Sequence, residues 1–268
     1  MLKIIEKIRF KPESNRMKKI GDVKNAIEAF KVKKNKNLFF LLNNRFSWMK
    51  NFIDENEKGL EVGAGAGFSK YFIKNKDFLI SDVQNHNHLD LKNIDAQNTK
   101  LDKESFDFII ASNMLHHVPF PLKFLNEMHR ILKPGGKLIM QEAYCSLIFQ
   151  LITIIMKHEG FDFTKNVWSD KESMSDIEDP WAGNIAVPHL IFDDKEKFKI
   201  KFQNKFSVKH DKIYECIIFL NSGGVTSKTY YLPMNSLFLK FFNLVDKYLV
   251  KVFPKIFGMG RQIVLQKF

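Results

Sequence analysis

Disulfides are the first thing this sequence lacks. Cys145 and Cys216 are its two cysteines in 268 residues, without metal-ligand or redox spacing. That excludes a disulfide framework and fits a reducing compartment. A membrane-spanning run is missing too. A span takes about 20 apolar residues, and the longest apolar stretch, "SLIFQLITIIM", contains Gln150 and Thr153. The opening "MLKIIEKIRFKPE" is broken by charges and does not read as a signal peptide. A cytoplasmic location is expected. Acidic residues are the minority: 30 Asp and Glu stand against 42 Lys and Arg, a net charge of +12. Such an excess favours anionic partners such as nucleic acid, anionic lipid or a phosphorylated substrate, or it reflects AT-rich coding without functional meaning. Phe alone supplies 27 residues and hydrophobic residues 45%, so a sizeable core is expected and wholesale disorder is not.

What is present falls into an order. Residues 1–57 have mostly helical spacing. The texture then changes. "GLEVG" (59–63) reads as a strand, followed by a glycine turn at Gly63, Gly65 and Gly67 and a short helix to about Asn75. "DFLISD" (77–82) reads as a second strand and "LKNIDA" (91–96) as a third. "FDFIIASN" (106–113) is apolar on consecutive residues, as buried parallel strands are. "PLKFLNEMHRIL" (121–132) reads as a helix with Pro in its first turn. "KPGG" ends it before a strand at "KLIMQE" (137–142). Strands alternating with helices predict βαβ units and a doubly wound, mostly parallel α/β sheet. A glycine turn after the first strand of such a sheet is where a nucleotide-like ligand binds, and Asp82 stands where an acidic residue would meet ribose hydroxyls.

The stretches "LEVGAGAG", "ISD", "IDAQ", "SFDFIIASNMLHHV" and "FLNEMHRILKPGGKLIM", in this order, resemble the class I S-adenosylmethionine-dependent methyltransferases. The resemblance covers about residues 58–142. It implies a Rossmann-like, seven-stranded sheet and S-adenosyl-L-methionine as cofactor. It implies that Glu61, Gly63, Ala64, Gly65 and Gly67 shape the methionine and ribose site, with Glu61 receiving the ammonium. Asp82 is expected to hold the ribose, Val83 to pack the adenine, Asp95 and Ala96 to reach the adenine edge, and Asn113 and Met114 to line the floor below the sulfonium. Asp107 is expected to anchor a strand start instead. "KHEGFD" (157–162), "DPWAGNIAVPHLIF" (179–192) and "NSGGVTSKTYYLP" (221–233) look like segments of a bacterial methyltransferase group encoded with surface-polysaccharide genes, with Lys157, Gly160 and Val225 departing from that pattern. The closing "GRQIVLQKF" resembles an antiparallel strand inserted into the sheet.

Four parts are expected: a helical extension at 1–57, the cofactor core at 58–143, a lid at 144–205, and C-terminal strands with an amphipathic helix at 206–268. An activated sulfonium leaves the protein mainly to position the acceptor, and an oxygen acceptor also needs a base. Candidates are His117, His158 and Glu159, with His116 and His189 considered beside them. No metal-ligand cluster is expected. The turn after the fourth strand reads "NMLHHV", without the Asn/Asp-Pro-Pro-aromatic pattern of exocyclic-amine methyltransferases. Neither cysteine follows Pro, as a pyrimidine C5 nucleophile usually does. Both absences argue against nucleic acid. The acceptor expected is a small molecule, sugar or lipid-linked saccharide methylated on oxygen. The alternatives are a quinone- or polyprenol-type lipid methyltransferase and a cofactor-binding partner subunit without catalysis. In "LFLKFFNLVDKYLVKVFPK" (237–255) lysines form one helical stripe. Two readings follow: a helix packed on the sheet with a solvated Lys face, or one lying on an anionic bilayer.

Overall fold

The computed structural model describes residues 8–11, 22–32, 34–157, 159–226 and 229–268. Part of the predicted N-terminal extension and the catalytic candidate His158 therefore lie outside the described residues.

Seven strands form one sheet: β1 (Gly59–Val62), β2 (Phe78–Asp82), β3 (Leu91–Lys92), β4 (Phe106–Ser112), β5 (Leu132–Ala143), β6 (Phe206–Tyr214) and β7 (Gly260–Lys267). Their order is β3-β2-β1-β4-β5-β7-β6. Strands β1 to β5 pair in parallel, while β7 runs antiparallel to both β5 and β6. The predicted insertion of the last strand is what the sheet shows.

Alternation along the strands divides the core. Leu60, Val62, Ile109, Ala111, Leu138 and Met140 join one cluster with Leu125, Met128 and Ile131 of α4 (Pro121–Ile131). Phe78, Ile80, Phe108, Ile110, Ile139 and Val264 join the other. There they meet α1 (Val23–Lys31), α2 (Lys36–Ser47) and α3 (Ser69–Phe72) through Ala26, Leu38, Leu42, Phe46 and Phe72. Helix α2 starts where the Asn35 side chain accepts from the Asn37 and Leu38 amides.

Two boundaries differ from the sequence reading. The third strand stops at Lys92 because Asn93 adopts a left-handed φ of 56°, which turns 93–96 into loop. The fifth begins at Leu132, directly after α4, since Leu132 pairs with Phe106 before a register shift, and so "KPGG" belongs to the strand.

Beyond β5 come α5 (Leu147–Met156), α6 (Val187–Phe192), α7 (Lys195–Phe202), α8 (Ile217–Leu220), α9 (Ser236–Val252) and α10 (Pro254–Phe257). Among the described residues no helix is long and apolar enough to cross a membrane. Helix α9 does not lie on the sheet with lysines alone outward. Leu237, Phe238, Phe241, Leu244, Tyr248 and Val252 are all exposed, at 45–73% of their surface. The helix is held by its opposite side. Buried Asp246 accepts the Cys216, Ile217 and Ile218 amides that open α8, flanked by buried Leu239 and Val250.

Candidate functional site

A cavity of about 700 Å³ opens at the carboxyl ends of β1, β2, β4 and β5, the edge where open α/β sheets take ligands. Its first zone is the turn after β1. Gly63 and Gly65 have φ of +66° and +50°. A Cβ on Gly63 would run into Met114, whereas one on Gly65 would meet nothing within 4 Å and would project into open space. Gly67 does not line the cavity, contrary to expectation. With φ +66°, it lets the chain close on Ile80 and His88, so its bareness serves packing.

Two carboxylates face this turn. Buried Glu61 accepts from the Ser69 hydroxyl. Burial pushes its carboxyl up to about 8, against the Ser69 hydrogen bond, and the charge of Asp82 adds to the rise. Asp82 accepts the Gly65 amide at 2.8 Å and the Gln84 amide at 2.9 Å. Val83, Ile94, Asp95 and Ala96 continue the wall. A buried carboxyl wanting positive charge, a second carboxylate and an apolar wall suit a ligand with an ammonium, a diol and a flat ring. The open space at Gly65 is room for it.

The second zone is the turn after β4. Fully buried Glu142, at the end of β5, organises it. One oxygen accepts the Met114 and Leu115 amides, each at 2.8 Å, and the other meets His116 Nδ1 at 2.8 Å. Asn113, at φ 51°, exchanges hydrogen bonds with Gln141. His117 lies beside His116, with ring centroids 4.2 Å apart, and its Nδ1 is 3.1 Å from the Ala182 carbonyl. Glu159 reaches in from the segment after α5: its carboxylate is 3.4 Å from His116 Nε2 and 4.0 Å from His117 Nε2. Burial alone would lower His116, but Glu142 and Glu159 outweigh it and raise the ring to about 10. Burial lowers His117 to about 4, with the charge of His116 adding. The sequence was expected to hold no metal-ligand cluster, yet the ligand atoms of His116, His117 and Glu159 all lie within 4.8 Å of one another.

The third zone is apolar. Phe149, Ile152, Met156, Ile177 and Phe219 line it, and Trp181 closes one side. Met156, Leu220 and Tyr230 line the cavity while also being exposed, so they form its mouth. All three segments of the second half singled out in the sequence reach this cavity, through Glu159, Trp181 and Gly224.

Two residues of the expected lid do not line the cavity. His189 sits 3.0 Å from Arg9 and 3.3 Å from Asp193, against the Tyr144 ring, outside the cavity. Asn184 is a staple: its oxygen accepts the Asp162 and Ala186 amides. Arg45 was missed. It lines the cavity, forks onto Glu215 at 2.6 and 3.1 Å and lies over the Phe219 ring. No pattern in "NNRFSW" points to that distant partner. Asp107 anchors a strand start as expected, accepting from the Lys58 amide and the Lys133 ammonium.

Comparison with known proteins agrees with this geometry. Residues 60–140 match the family described as "Methyltransferase domain". Demethylmenaquinone methyltransferase of Staphylococcus epidermidis is 36% identical over 91 residues, covering 34% of this chain and 31% of that protein. Its Staphylococcus haemolyticus counterpart is 28% identical over 127 residues, covering 46% of this chain and 51% of that protein. The chain thus spans about a third of the first of these curated relatives and about half of the second. A solved S-adenosylmethionine-dependent methyltransferase from Archaeoglobus fulgidus superposes with a TM-score of 0.53 at 15% identity, covering 92% of this chain and all of that one, which establishes the fold. Residues 60–140 are thus similar to a methyltransferase domain, carried on a sheet of the Rossmann-like methyltransferase fold.

Proposed function

We propose that this protein transfers the methyl group of S-adenosylmethionine to a hydroxyl oxygen on a lipid-linked acceptor, a saccharide carried on an apolar tail. One observation carries the reading: a polar cluster in the cavity gives way to an apolar mouth that is itself exposed. A free sugar would have no use for that mouth.

The cofactor supplies a methyl group already activated on a sulfonium. The protein's work is to bind, orient and handle a proton. Glu61 takes the ammonium, which gives its buried carboxylate the cation it lacks. Asp82 takes the ribose hydroxyls while bracing the Gly65 amide. Ala64 and Gly65 give the backbone its close approach, Gly63 makes room for Met114, and Val83, Asp95 and Ala96 wall the adenine. Asn113 and Met114 form the floor beneath the transferring group. Glu159, with His117 beside it, accepts the acceptor's hydroxyl proton at its carboxylate. Trp181 and the apolar residues of the third zone exclude water from that end.

Helix α9 supports delivery from an anionic membrane surface. Its exposed apolar face is bordered by exposed Lys240, Lys247 and Lys251, as in helices that lie in a bilayer interface. Exposed Tyr230, Tyr231 and Leu232 run from the cavity mouth toward its start.

Incubating the protein and methyl-labelled cofactor with separated membrane-lipid and water-soluble fractions tests the reading. Label in a lipid-extractable saccharide, as an O-methyl sugar after hydrolysis, is expected. Label on a prenylated ring would move the assignment to a quinone-type acceptor. Label confined to soluble metabolites would overturn the lipid link. No turnover in any fraction would favour a cofactor-binding partner subunit.

A further inference from the structure

We propose that His116, His117 and Glu159 form a binding site for a divalent transition-metal ion of the zinc, iron or cobalt type. The inference goes beyond the methyl-transfer reading and does not rest on it: Glu159 is a ligand in the ion-bound protein and the proton acceptor named above in the ion-free one.

The argument starts from which ring nitrogens carry hydrogen. A carbonyl oxygen only accepts, so the 3.1 Å contact with Ala182 makes His117 Nδ1 a donor. The neutral ring then turns the lone pair of Nε2 toward Glu159. Glu142, which already accepts two backbone amides, takes His116 Nδ1 in the same way and leaves His116 Nε2 facing Glu159 at 3.4 Å. Two imidazole nitrogens and a carboxylate converge on one point. In the ion-free cluster His116 is paired with both carboxylates, and an ion binds there in place of a proton. Glu142 and Glu159 together bring two carboxylates to the two sides of His116 at a largely buried spot.

The supports are those of a built site. A histidine ligand held at its other nitrogen by a carboxylate is the arrangement that orients metal-binding imidazoles, and here that carboxylate is fully buried. The Asn184 amide donates to the His116 carbonyl at 2.8 Å, tying the turn to the lid. A Cβ on Gly183 would sit 3.1–3.2 Å from both histidine rings, so the glycine lets the lid lie close over them. Two nitrogens and one oxygen favour borderline transition metals over magnesium or calcium, which prefer oxygen shells. Three protein ligands leave positions for an exchangeable group, and all three residues line the cavity. Small movement is needed: Glu159 must close on both rings for bonds of about 2.0–2.2 Å.

The test uses the full chain after chelator dialysis, without cofactor or acceptor. Titration with Co2+ should produce a visible ligand-field band at one equivalent, and Zn2+ should abolish it. Zn2+ should also raise the melting temperature of the parent. Glu159→Gln, on the partly exposed side, should lose both signals while keeping the parent's circular dichroism. Glu142→Gln should weaken uptake roughly 10–100-fold. Absence of uptake by the parent, or uptake unchanged in Glu159→Gln and His117→Ala, would overturn the site, as would uptake lost only when the stacked pair His86 and His88 is replaced. A protein that binds Zn2+ at these residues but transfers no methyl group would keep this site and remove the activity proposed above.

Discussion

Two turns share one edge of the sheet and are built in opposite ways. The turn after β1 is made of absence: Gly65 leaves open space where any side chain would project. The turn after β4 is made of presence: Glu142 grips two amides and a ring to hold side chains at fixed places. The first shape suits a ligand that brings its own chemistry and needs room. The second suits a reacting partner that must be met by polar atoms. A site for group transfer needs both, and dividing the labour lets each be altered separately.

That separation can be broken by substitution, and the largest effect is expected at Gly65. Gly65→Val puts a β-branched side chain into the open space and into a left-handed conformation. It should remove measurable S-adenosylmethionine binding by calorimetry while costing about 1–2 kcal/mol of stability. A folded Gly65→Val that binds like the parent would mean the ligand lies elsewhere. Asp82→Ala removes a carboxylate that braces the same turn. A charge-assisted hydrogen bond of about 1.5–3 kcal/mol implies a roughly ten- to hundredfold weaker cofactor affinity.

The second turn gives the converse. Glu142→Gln keeps an acceptor for the amides but removes the charge opposite His116. Turnover should fall at least about tenfold, with cofactor affinity nearly unchanged. If affinity fell as far as turnover, the two turns would not be independent.

Glu61 is expected to show the most pH-dependent effect. Its carboxyl titrates near 8 when folded, against 4.5 as the ordinary value. The folded protein therefore binds more protons between those pH values, and its stability falls as pH rises from 4.5 through 8. Below 4.5 both states are protonated and the penalty is absent. Glu61→Gln should remove that slope. Without cofactor it should melt above the parent at pH 8 and level with it near pH 4.5, each kcal/mol relieved being worth about 2–4 °C at this size. The same variant should bind cofactor more weakly. Parallel melting curves for the two proteins across this range would refute the assignment.

The contrast between the turns also explains what could be read in advance. The strands and glycines of 59–82 write their fold locally: apolar runs, a bare backbone, an acidic residue at the next strand end. The sheet class was legible for that reason. Gly67 lies behind the cavity wall, and spacing shows that a glycine is required, not whether a ligand or a neighbouring strand requires it. The cluster at His116 was half legible. "LHH" marked the place, but nothing local says that Glu142 grips it or that Glu159 arrives from beyond α5. The apolar periodicity of α9 gave a stripe without a direction. The buried Asp246 cap decides which side turns inward, and a lone Asp in a helix carries no such message.

The sheet order has a consequence in time. β6 has β7 as its strand partner, and β7 also fills the edge of β5. The ribosome makes β6 first, then residues 215–259, and only then its partner. At about 5–20 residues per second that is a wait of several seconds with backbone groups unpaired. The strand left waiting is written for it: Val208 is exposed among Lys209, Asp211 and Lys212, a charged sequence poorly suited to joining a neighbouring chain. The more apolar partner, "QIVL" at 262–265, emerges when both of its places in the sheet are ready to receive it.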